Sequence, residues 1–252
     1  MKSEKQIIEK LNNLLKFVLI NTSHPGNIGA SARAIKNMGF KGLQLVNPKD
    51  FPNKIAGFRA KAAIDVIEFT KVFKSIDEAI EDCHFVVGTS ARNRKIPWPM
   101  KEPREAAEQI LKRVVNNNEK VAILFGQEDR GLTNEELGRC NLHIHIPSSE
   151  DYSSLNLSQA VQIISYELRL AMINYLGISS EVDWDVSLAT DQETENLIQH
   201  MNEVMLELDF YDPDNPRKIL ERVRRFFKRA RIDVMEANIF RGIFSATQKR
   251  LK

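Results

Sequence analysis

The sequence predicts an α/β fold in which helices flank a parallel sheet, followed by a small C-terminal helical extension. Two observations support this prediction. In the first 175 residues, short runs rich in Val, Ile, Leu and Phe alternate with segments of helical periodicity, and after Gly177 the strand pattern ends. Nearly continuous apolar strands separated by helices are typical of a parallel sheet that is covered on both faces.

Five segments have the composition of buried strands. Each is apolar and is bounded by Asn, Gly or Pro, which favour turns. The predicted strands are residues 16–21 (KFVLIN), 43–47 (LQLVN), 85–88 (FVVG), 121–125 (VAILF) and 142–146 (LHIHI).

Segments of helical periodicity lie between and after these strands. Ser75 and Thr133 are predicted N-caps, and TNEE at 133–136 is a capping box. Gly177 is expected to end the longest helix. The helices predicted in this region are residues 28–38, 75–83, 102–115, 133–140 and 157–176.

Three more helices are predicted after a polar, acidic linker. The second of them is expected to begin at Pro216, because proline favours the first turn of a helix. These helices are residues 192–208, 216–230 and 233–249. The predicted organisation is therefore an α/β domain over 1–175, a linker over 176–190 and a helical module over 191–252.

The charge is distributed unevenly along the chain, although the formal total is only +2. Residues 176–215 contain eleven acidic residues and no lysine or arginine, whereas residues 216–252 contain twelve basic and three acidic residues. This asymmetry predicts a polyanion-facing surface in the C-terminal module. The whole composition, 42% hydrophobic and 28% charged, excludes collagen-like, disordered and disulfide-scaffold classes.

The two cysteines, Cys83 and Cys140, indicate a reduced, cytoplasmic protein, and their spacing suggests no metal site. The first 22 residues mix charged with apolar side chains and lack a small-residue cleavage site, so we expect no signal peptide. No run of 18 apolar residues occurs, so we expect no membrane span.

The loops after the predicted strands contain the candidate functional residues, since ligands bind at the carboxyl ends of parallel strands. After the first strand, Pro25-Gly26 is interpreted as a turn and Asn27 as a helix cap. Gly29 allows another backbone to approach, and Arg33 follows in the pattern Asn-x-Gly-x-x-x-Arg. A helix N-terminus after such a turn favours an anionic or polar ligand. An ordinary cap with a surface arginine is the commoner explanation of this pattern alone.

Three further loops have similar features. In GTSARNR at 88–94, the first four residues are small enough to leave backbone groups free for a ligand, and Arg92 and Arg94 are candidate phosphate ligands. Glu128 lies between two glycines in FGQEDRGL, and IPSSEDYSSLNLSQA at 146–160 precedes the longest helix. For each loop taken alone, turn and capping chemistry is a sufficient explanation.

Together and in this order, the four motifs resemble the SPOUT methyltransferases, specifically their SpoU/TrmH group, over roughly residues 15–175. With the C-terminal extension, the chain is most similar to bacterial tRNA methyltransferases of that group. The resemblance implies a C-terminal trefoil knot, a homodimer and S-adenosylmethionine as cofactor. The cofactor-binding residues that it implies are Thr89, Ser90, Ala91, Gly126, Ile146, Ser153, Ser154 and Leu155.

The implied reaction is methylation of a ribose 2′-hydroxyl of tRNA, with nucleotide 32 of the anticodon loop as the expected target. Arg33 is the central catalytic candidate, with Asn27, Glu128, Ser154 and Asn156 as positioning groups. A guanidinium is too basic to accept a proton, so Arg33 is expected to bind a phosphate and orient the hydroxyl. The expected RNA-binding residues are Arg33, Arg92, Arg94, Arg224, Arg225, Lys228 and Arg229.

Three alternatives remain open. The chain can be an RNA-binding protein without activity, although the motif residues argue against that class. A phosphotransferase is disfavoured because no GxxxxGK[ST] sequence occurs. A ribose methyltransferase that acts on rRNA or on another tRNA position is the nearest competing function.

Overall fold

The structure is a computed structural model that describes residues 3–90, 98–149, 151–178 and 185–251. Two compact units divide the chain, residues 1–179 and residues 180–252. In chain order, the helices and strands of the first unit are α1 (Glu4–Leu14), β1 (Leu15–Ile20), α2 (Pro25–Asn37), β2 (Leu43–Val46), α3 (Lys54–Ala60), α4 (Ile64–Glu68), β3 (Lys71–Phe73), α5 (Ile76–Ile80), β4 (Phe85–Thr89), β5 (Met100–Lys101), α6 (Pro103–Asn117), β6 (Val121–Phe125), α7 (Asn134–Leu137), β7 (Leu142–Ile144) and α8 (Leu157–Leu176).

The strands form one parallel sheet in the order β3-β2-β1-β6-β4-β7-β5. Because all its strands run the same way, their carboxyl ends meet at one edge. The predicted α/β class with a parallel sheet flanked by helices is therefore confirmed. The trefoil knot that the resemblance implies stays a prediction.

Both faces of the sheet are buried, as β1 illustrates. Phe17 and Leu19 pack into the larger core with α1, α2, α6 and α8, whereas Val18 and Ile20 pack into a smaller core with α5 and α7. Since successive side chains of a strand point to opposite faces, a strand covered on both sides must be apolar throughout. This requirement explains why the central strands are recognisable in the sequence.

The elements that sequence reasoning missed are short or lie before the first strand. Strands β3 and β5 have three and two residues, and β3 is largely exposed. Helices α3 and α4 lie between β2 and β3, where no helix was predicted. Helix α1 begins with a capping box between Ser3 and Gln6, a signal that was overlooked in the charged N-terminal segment.

The start of α2 corrects the interpretation of the first loop. The N-cap is His24, whose Nδ1 accepts a hydrogen bond from the backbone N–H of Gly26 at 3.0 Å. Pro25 and Gly26 are the first residues of the helix and do not form a separate turn. Backbone N–H groups in the first turn of a helix have no acceptor within the helix, so proline, which lacks this group, is tolerated there. Asn27 therefore does not cap the helix, and its side chain is available for other contacts.

The second unit contains α9 (Asp191–Glu207), α10 (Ile219–Ala230) and α11 (Val234–Leu251). They enclose a small core of Leu197, Ile198, Phe227, Ile232 and Ala237. Helix α10 begins three residues after Pro216, so the predicted start at that proline is wrong. Within the described ranges, no helix is long and apolar enough to cross a membrane.

Candidate active site

A cleft of about 180 Å³ lies at the carboxyl edge of the sheet. The loops that follow three adjacent strands, β6, β4 and β7, enclose it. Its walls combine apolar side chains with hydroxyl and backbone groups, a lining typical of small-molecule sites. The lining residues are Thr89, Ser90, Phe125, Gly126, Gln127, Glu128, Asp129, Arg130, Gly131, Leu132, Ile144, Ile146, Ser153, Ser154, Leu155, Leu157 and Ala160.

Seven of the eight residues expected to bind the cofactor line this cleft: Thr89, Ser90, Gly126, Ile146, Ser153, Ser154 and Leu155. The eighth, Ala91, lies outside the described residues, as do Arg92 and Arg94. Sequence reasoning missed Phe125, Ile144 and Leu157, whose apolar character marked them only as core residues.

The small residues after β4 were expected to leave backbone groups free for a ligand, but the Ser90 N–H is already hydrogen-bonded within the protein. The Ser90 N–H donates to the Ile144 carbonyl at 2.9 Å, and the Thr89 hydroxyl donates to the Leu124 carbonyl at 3.0 Å. The first bond extends the pairing with β7 by one residue beyond β4, and the second ties the side chain of Thr89, the last residue of β4, to β6.

Gly126 permits the tight loop that carries Glu128. A Cβ at Gly126 would lie 2.1 Å from the carbonyl carbon of Gly131, so no larger residue fits. Gly131 has φ +68°, which favours glycine, and its N–H donates to the Gln127 carbonyl at 2.8 Å. The two glycines thus close a narrow turn, and residues 128–130 of this turn line the cleft.

Glu128 anchors the loop after β1 to the loop after β6. Its Oε2 accepts hydrogen bonds from the backbone N–H and the hydroxyl of Ser23, at 2.9 and 2.8 Å. Its Oε1 accepts from the Asn27 amide at 3.0 Å and from the His24 N–H at 3.3 Å. Burial opposes ionisation of this carboxyl, but the hydrogen bonds from Asn27 and Ser23 outweigh burial and lower its pKa.

A chain of polar contacts continues from Glu128 to the longest helix. The Asn156 amide donates to Asn27 Oδ1 at 3.1 Å, while Asn156 Oδ1 caps α8 by accepting from the Ser158 N–H. The contacts join Glu128, Asn27 and Asn156, three of the predicted catalytic residues. Ser23 and His24 belong to the same cluster and were not predicted.

Arg33 lies apart from this cluster. It is exposed on α2, does not line the cleft, and makes no hydrogen bond or ion pair with any residue that the structure describes. Within one chain, Glu128 accepts hydrogen bonds from Ser23, His24 and Asn27, and Arg33 is not among its donors. The guanidinium is available for an external ligand.

In the second unit, ion pairs divide the predicted RNA-binding residues of α10 into two groups. Arg224 donates to Glu195 at 3.0–3.2 Å, and Lys228 pairs with both Asp191 and Glu195. These bonds raise the pKa of both basic groups and lower that of Glu195. Arg225 and Arg229 are exposed and form no ion pair within the described residues.

Comparison with known proteins agrees with this geometry. The SpoU rRNA Methylase family matches residues 14–166, and the C-terminal domain of the tRNA methyltransferase TrmJ matches residues 192–252. The tRNA (cytidine/uridine/adenosine-2′-O-)-methyltransferase TrmJ of Pseudomonas aeruginosa is 44% identical over 242 residues, which cover 93% of this chain and 94% of the relative.

Two further relatives are similar over nearly their whole length. The tRNA (cytidine/uridine-2′-O-)-methyltransferase TrmJ of Pectobacterium atrosepticum is 42% identical over 93% of this chain and 97% of its own. The crystal structure of TrmJ from Z. mobilis superimposes with a TM-score of 0.75 at 29% identity and covers 92% of this chain and 98% of that one.

Proposed function

The chain belongs to the SpoU rRNA methylase family, and from that premise we propose that it methylates a ribose 2′-hydroxyl of tRNA with S-adenosylmethionine as methyl donor. The observation that carries the proposal is the cleft at the carboxyl edge of the sheet, joined to α2 by the contacts among Glu128, Asn27 and Asn156. The names of the relatives support tRNA as the substrate.

The chemistry of the cleft fits S-adenosylmethionine. Ile144, Ile146 and Leu157 offer apolar contact to an adenine ring, and the 153–155 segment offers hydroxyl and backbone groups to the ribose and the amino acid part. Glu128 and Asp129 place negative charge near a cationic ligand. When bound, this cofactor supplies an activated methyl group on a sulfonium, so that no metal is required.

The residues around the cleft have separate tasks in this proposal. Arg33 binds a phosphate of the RNA and orients the 2′-hydroxyl, because a guanidinium stays protonated and suits phosphate geometry. Asn27 positions the ribose, held by Glu128 on one side and Asn156 on the other. Ser154 is exposed at the cleft and orients the target or the cofactor. Holding the reactants aligned is the main contribution of the protein.

We propose a homodimer in which Arg33 of one protomer serves the cleft of the other. Support comes from the family resemblance and from the position of Arg33 outside the residues that line the cleft of its own chain. A tRNA-modifying enzyme of this kind acts in the cytoplasm.

Nucleotide 32 of the anticodon loop is the proposed target. The helical module over 191–252 is proposed to bind tRNA through Arg225 and Arg229. Arg224 and Lys228 are proposed to join them once they are released from their carboxylate partners. The name of the matching family, the SpoU rRNA Methylase family, favours one alternative, methylation of rRNA. The match of residues 192–252 to a tRNA methyltransferase domain favours tRNA over that alternative.

The test is transfer of labelled methyl groups to purified tRNA and to ribosomal RNA, both lacking the modification. We expect label in tRNA, in dinucleotides that resist alkali because the 2′-oxygen is blocked. Label in base-modified nucleosides would contradict ribose methylation, and label confined to rRNA would support the alternative substrate.

A further inference from the structure

Helices α2 and α3 pack with their backbones in close contact at Gly29. A Cβ there would lie 2.1 Å from the Ala56 carbonyl oxygen and 2.9 Å from Arg59 Cβ, and a Cβ at Gly26 would lie 3.8 Å from Arg59 Cγ. The aliphatic stem of Arg59 therefore lies against the face of α2 that carries both glycines. Arg33 follows Gly29 by four residues, about one helical turn, on this same face.

Arg59 and Arg33 share a second property, which is that neither guanidinium is bound by another described residue of the protein. Both side chains are exposed, and neither forms a hydrogen bond or an ion pair with the part of the chain that the structure describes. Other arginines of the first unit do bind carboxylates: Arg104, Arg113, Arg139 and Arg169. A guanidinium with a fixed stem and a free head is suited to bind phosphate in two-point geometry.

The outer face of α3 presents an aromatic ring beside these charges. Phe58 is 74% exposed, and Lys61 Nζ lies 5.7 Å from the centroid of its ring. Lys61 has φ 53° and ψ −121°, a backbone conformation rare for a residue with a side chain. Strain of this kind is concentrated at functional sites. Aromatic rings combined with basic side chains are the usual surface for unpaired RNA bases.

We propose that α3 is an RNA-contact element next to Arg33, in which Arg59 binds a phosphate close to the target nucleotide and Phe58 stacks on an unpaired base. This inference rests on the proposed function. It assigns to the first unit an RNA-binding surface separate from the basic helix α10.

The first test replaces Arg59 by Gln and by Lys in the full-length protein. For Arg59→Gln we expect the KM for tRNA to rise about tenfold, because a charge-assisted contact is lost. The plot of log affinity against log salt concentration has a negative slope, and this slope should become shallower by about 1. The values of kcat and of the Kd for S-adenosylmethionine should not change. Arg59→Lys should have the wild-type salt slope and a KM between those of the wild type and Arg59→Gln, since lysine keeps the charge but lacks the two-point geometry.

Lys112→Gln is the matched control for charge. Lys112 is exposed on α6, away from α2 and α3 in the sequence, and forms no ion pair within the described ranges. Its loss should leave both the KM and the salt slope unchanged. An equal effect in this control would overturn the assignment of Arg59, because the effect would then reflect net charge alone.

The second test compares Phe58→Ala with Phe69→Ala, since Phe69 is also exposed, at 78%. Phe58→Ala should raise the KM for tRNA about tenfold by the loss of one stacking contact, with the salt slope unchanged. Phe69→Ala should have no effect. Equal effects of the two variants would contradict a stacking role.

These outcomes separate the inference from the function on which it rests. If the wild-type protein does not methylate tRNA, the proposed function fails. If it does, and Arg59→Gln and Phe58→Ala keep the wild-type KM, the inference fails alone. An increase in KM accompanied by an equal loss of cofactor affinity would indicate a structural role and would also overturn the inference.

Discussion

Glu128 is the residue whose contacts do most to define the candidate site. It receives four hydrogen bonds from Ser23, His24 and Asn27 and so ties the loop after β1 to the loop after β6. An ionised carboxylate can accept all of them, whereas an amide presents one oxygen and an NH₂ group that opposes the remaining donors. The charge of Glu128 therefore positions Asn27, in addition to any effect on the ligand.

Glu128→Gln is expected to lower methyl transfer strongly and to destabilise the first unit by about 1–3 kcal/mol at neutral pH, since donors lose a charged acceptor. The pKa of Glu128 lies below the ordinary value of 4.5 in the folded protein. The stabilisation is therefore fully present above pH 4.5 and is lost as the pH falls through the lower, folded-state pKa. Chemical denaturation of the wild type and of Glu128→Gln at several pH values measures this difference in the free energy of unfolding.

Glu105→Gln is the control for this prediction, because Glu105 is exposed in the first turn of α6. Its substitution should change stability little at neutral pH. A stability difference between wild type and Glu128→Gln that persists undiminished well below pH 4.5 would contradict the assigned role of the ionised carboxylate.

Gly29→Ala tests the contact between α2 and α3. The added methyl group would meet backbone atoms of Ala56, which cannot move without shifting α3. We therefore expect the free energy of unfolding to fall by about 1–3 kcal/mol. Gly57→Ala on the facing helix adds the same group against the mobile end of Ile64 at 3.2 Å and should be close to neutral. Thermal unfolding compares the two. Equal stability of both variants would show that the helices can separate without cost.

At the scale of elements, long segments with clear end signals could be predicted and short ones could not. Residues 157–176 form α8 with the predicted bounds, because Gly177 adopts the left-handed conformation that ends the helix. Ser75 and Thr133 also cap as predicted. Strand β5 has two residues, too few for any periodicity, and depends on its neighbour β7 for pairing.

If the second unit binds tRNA as proposed, the opposed charges of α9 and α10 limit that binding. Arg224 and Lys228 are occupied by Asp191 and Glu195, so phosphate must displace these carboxylates before it can bind there. Exposed ion pairs are weak because water screens them, so the exchange is feasible. On the proposed function, the acidic residues therefore compete with RNA for part of α10.

Two double substitutions on α10 test this competition. Arg225→Gln with Arg229→Gln should weaken tRNA binding more than Arg224→Gln with Lys228→Gln, because the first pair removes cations that no carboxylate neutralises. The salt dependence of affinity should fall most for the first variant. Filter binding over a range of salt concentrations measures both quantities.

The reciprocal variant, Asp191→Asn with Glu195→Gln, should tighten tRNA binding at low salt, since it frees Arg224 and Lys228. Unchanged affinity in this variant and in the α10 variants would show that the second unit does not bind RNA. Tighter binding with both α10 variants would contradict the electrostatic account altogether.

For the whole molecule, the alternation of apolar strands with helices predicted the parallel sheet, and four short motifs predicted seven residues of the cleft. They succeeded because parallel strands bring loops that are distant in sequence to one edge. The contacts of Ser23, His24 and Arg59 could not be predicted, since they depend on how α2 begins and on how closely α3 approaches it. Neither property follows from the residue types of one segment.

The proposed sharing of the site between protomers predicts complementation. Arg33→Ala lacks the arginine, and Leu155→Trp fills the cleft, so each homodimer should be inactive. After mixing and subunit exchange, about half of the dimers are mixed, and each contains one complete site. About a quarter of the wild-type activity should return. If exchange is shown by size and mass but no activity returns, Arg33 serves its own cleft.

The proposed activity of this protein is methylation of a tRNA ribose, with Arg33 orienting the 2′-hydroxyl. Mass-spectrometric mapping of 2′-O-methyl nucleotides in unmodified tRNA, after incubation with S-adenosylmethionine and either wild type or Arg33→Ala, tests it directly. We predict a single 2′-O-methyl at nucleotide 32 with the wild type and none with Arg33→Ala, while the Kd for the cofactor is equal for both. Absence of the modification with the wild type, or its undiminished formation by Arg33→Ala, would contradict the account.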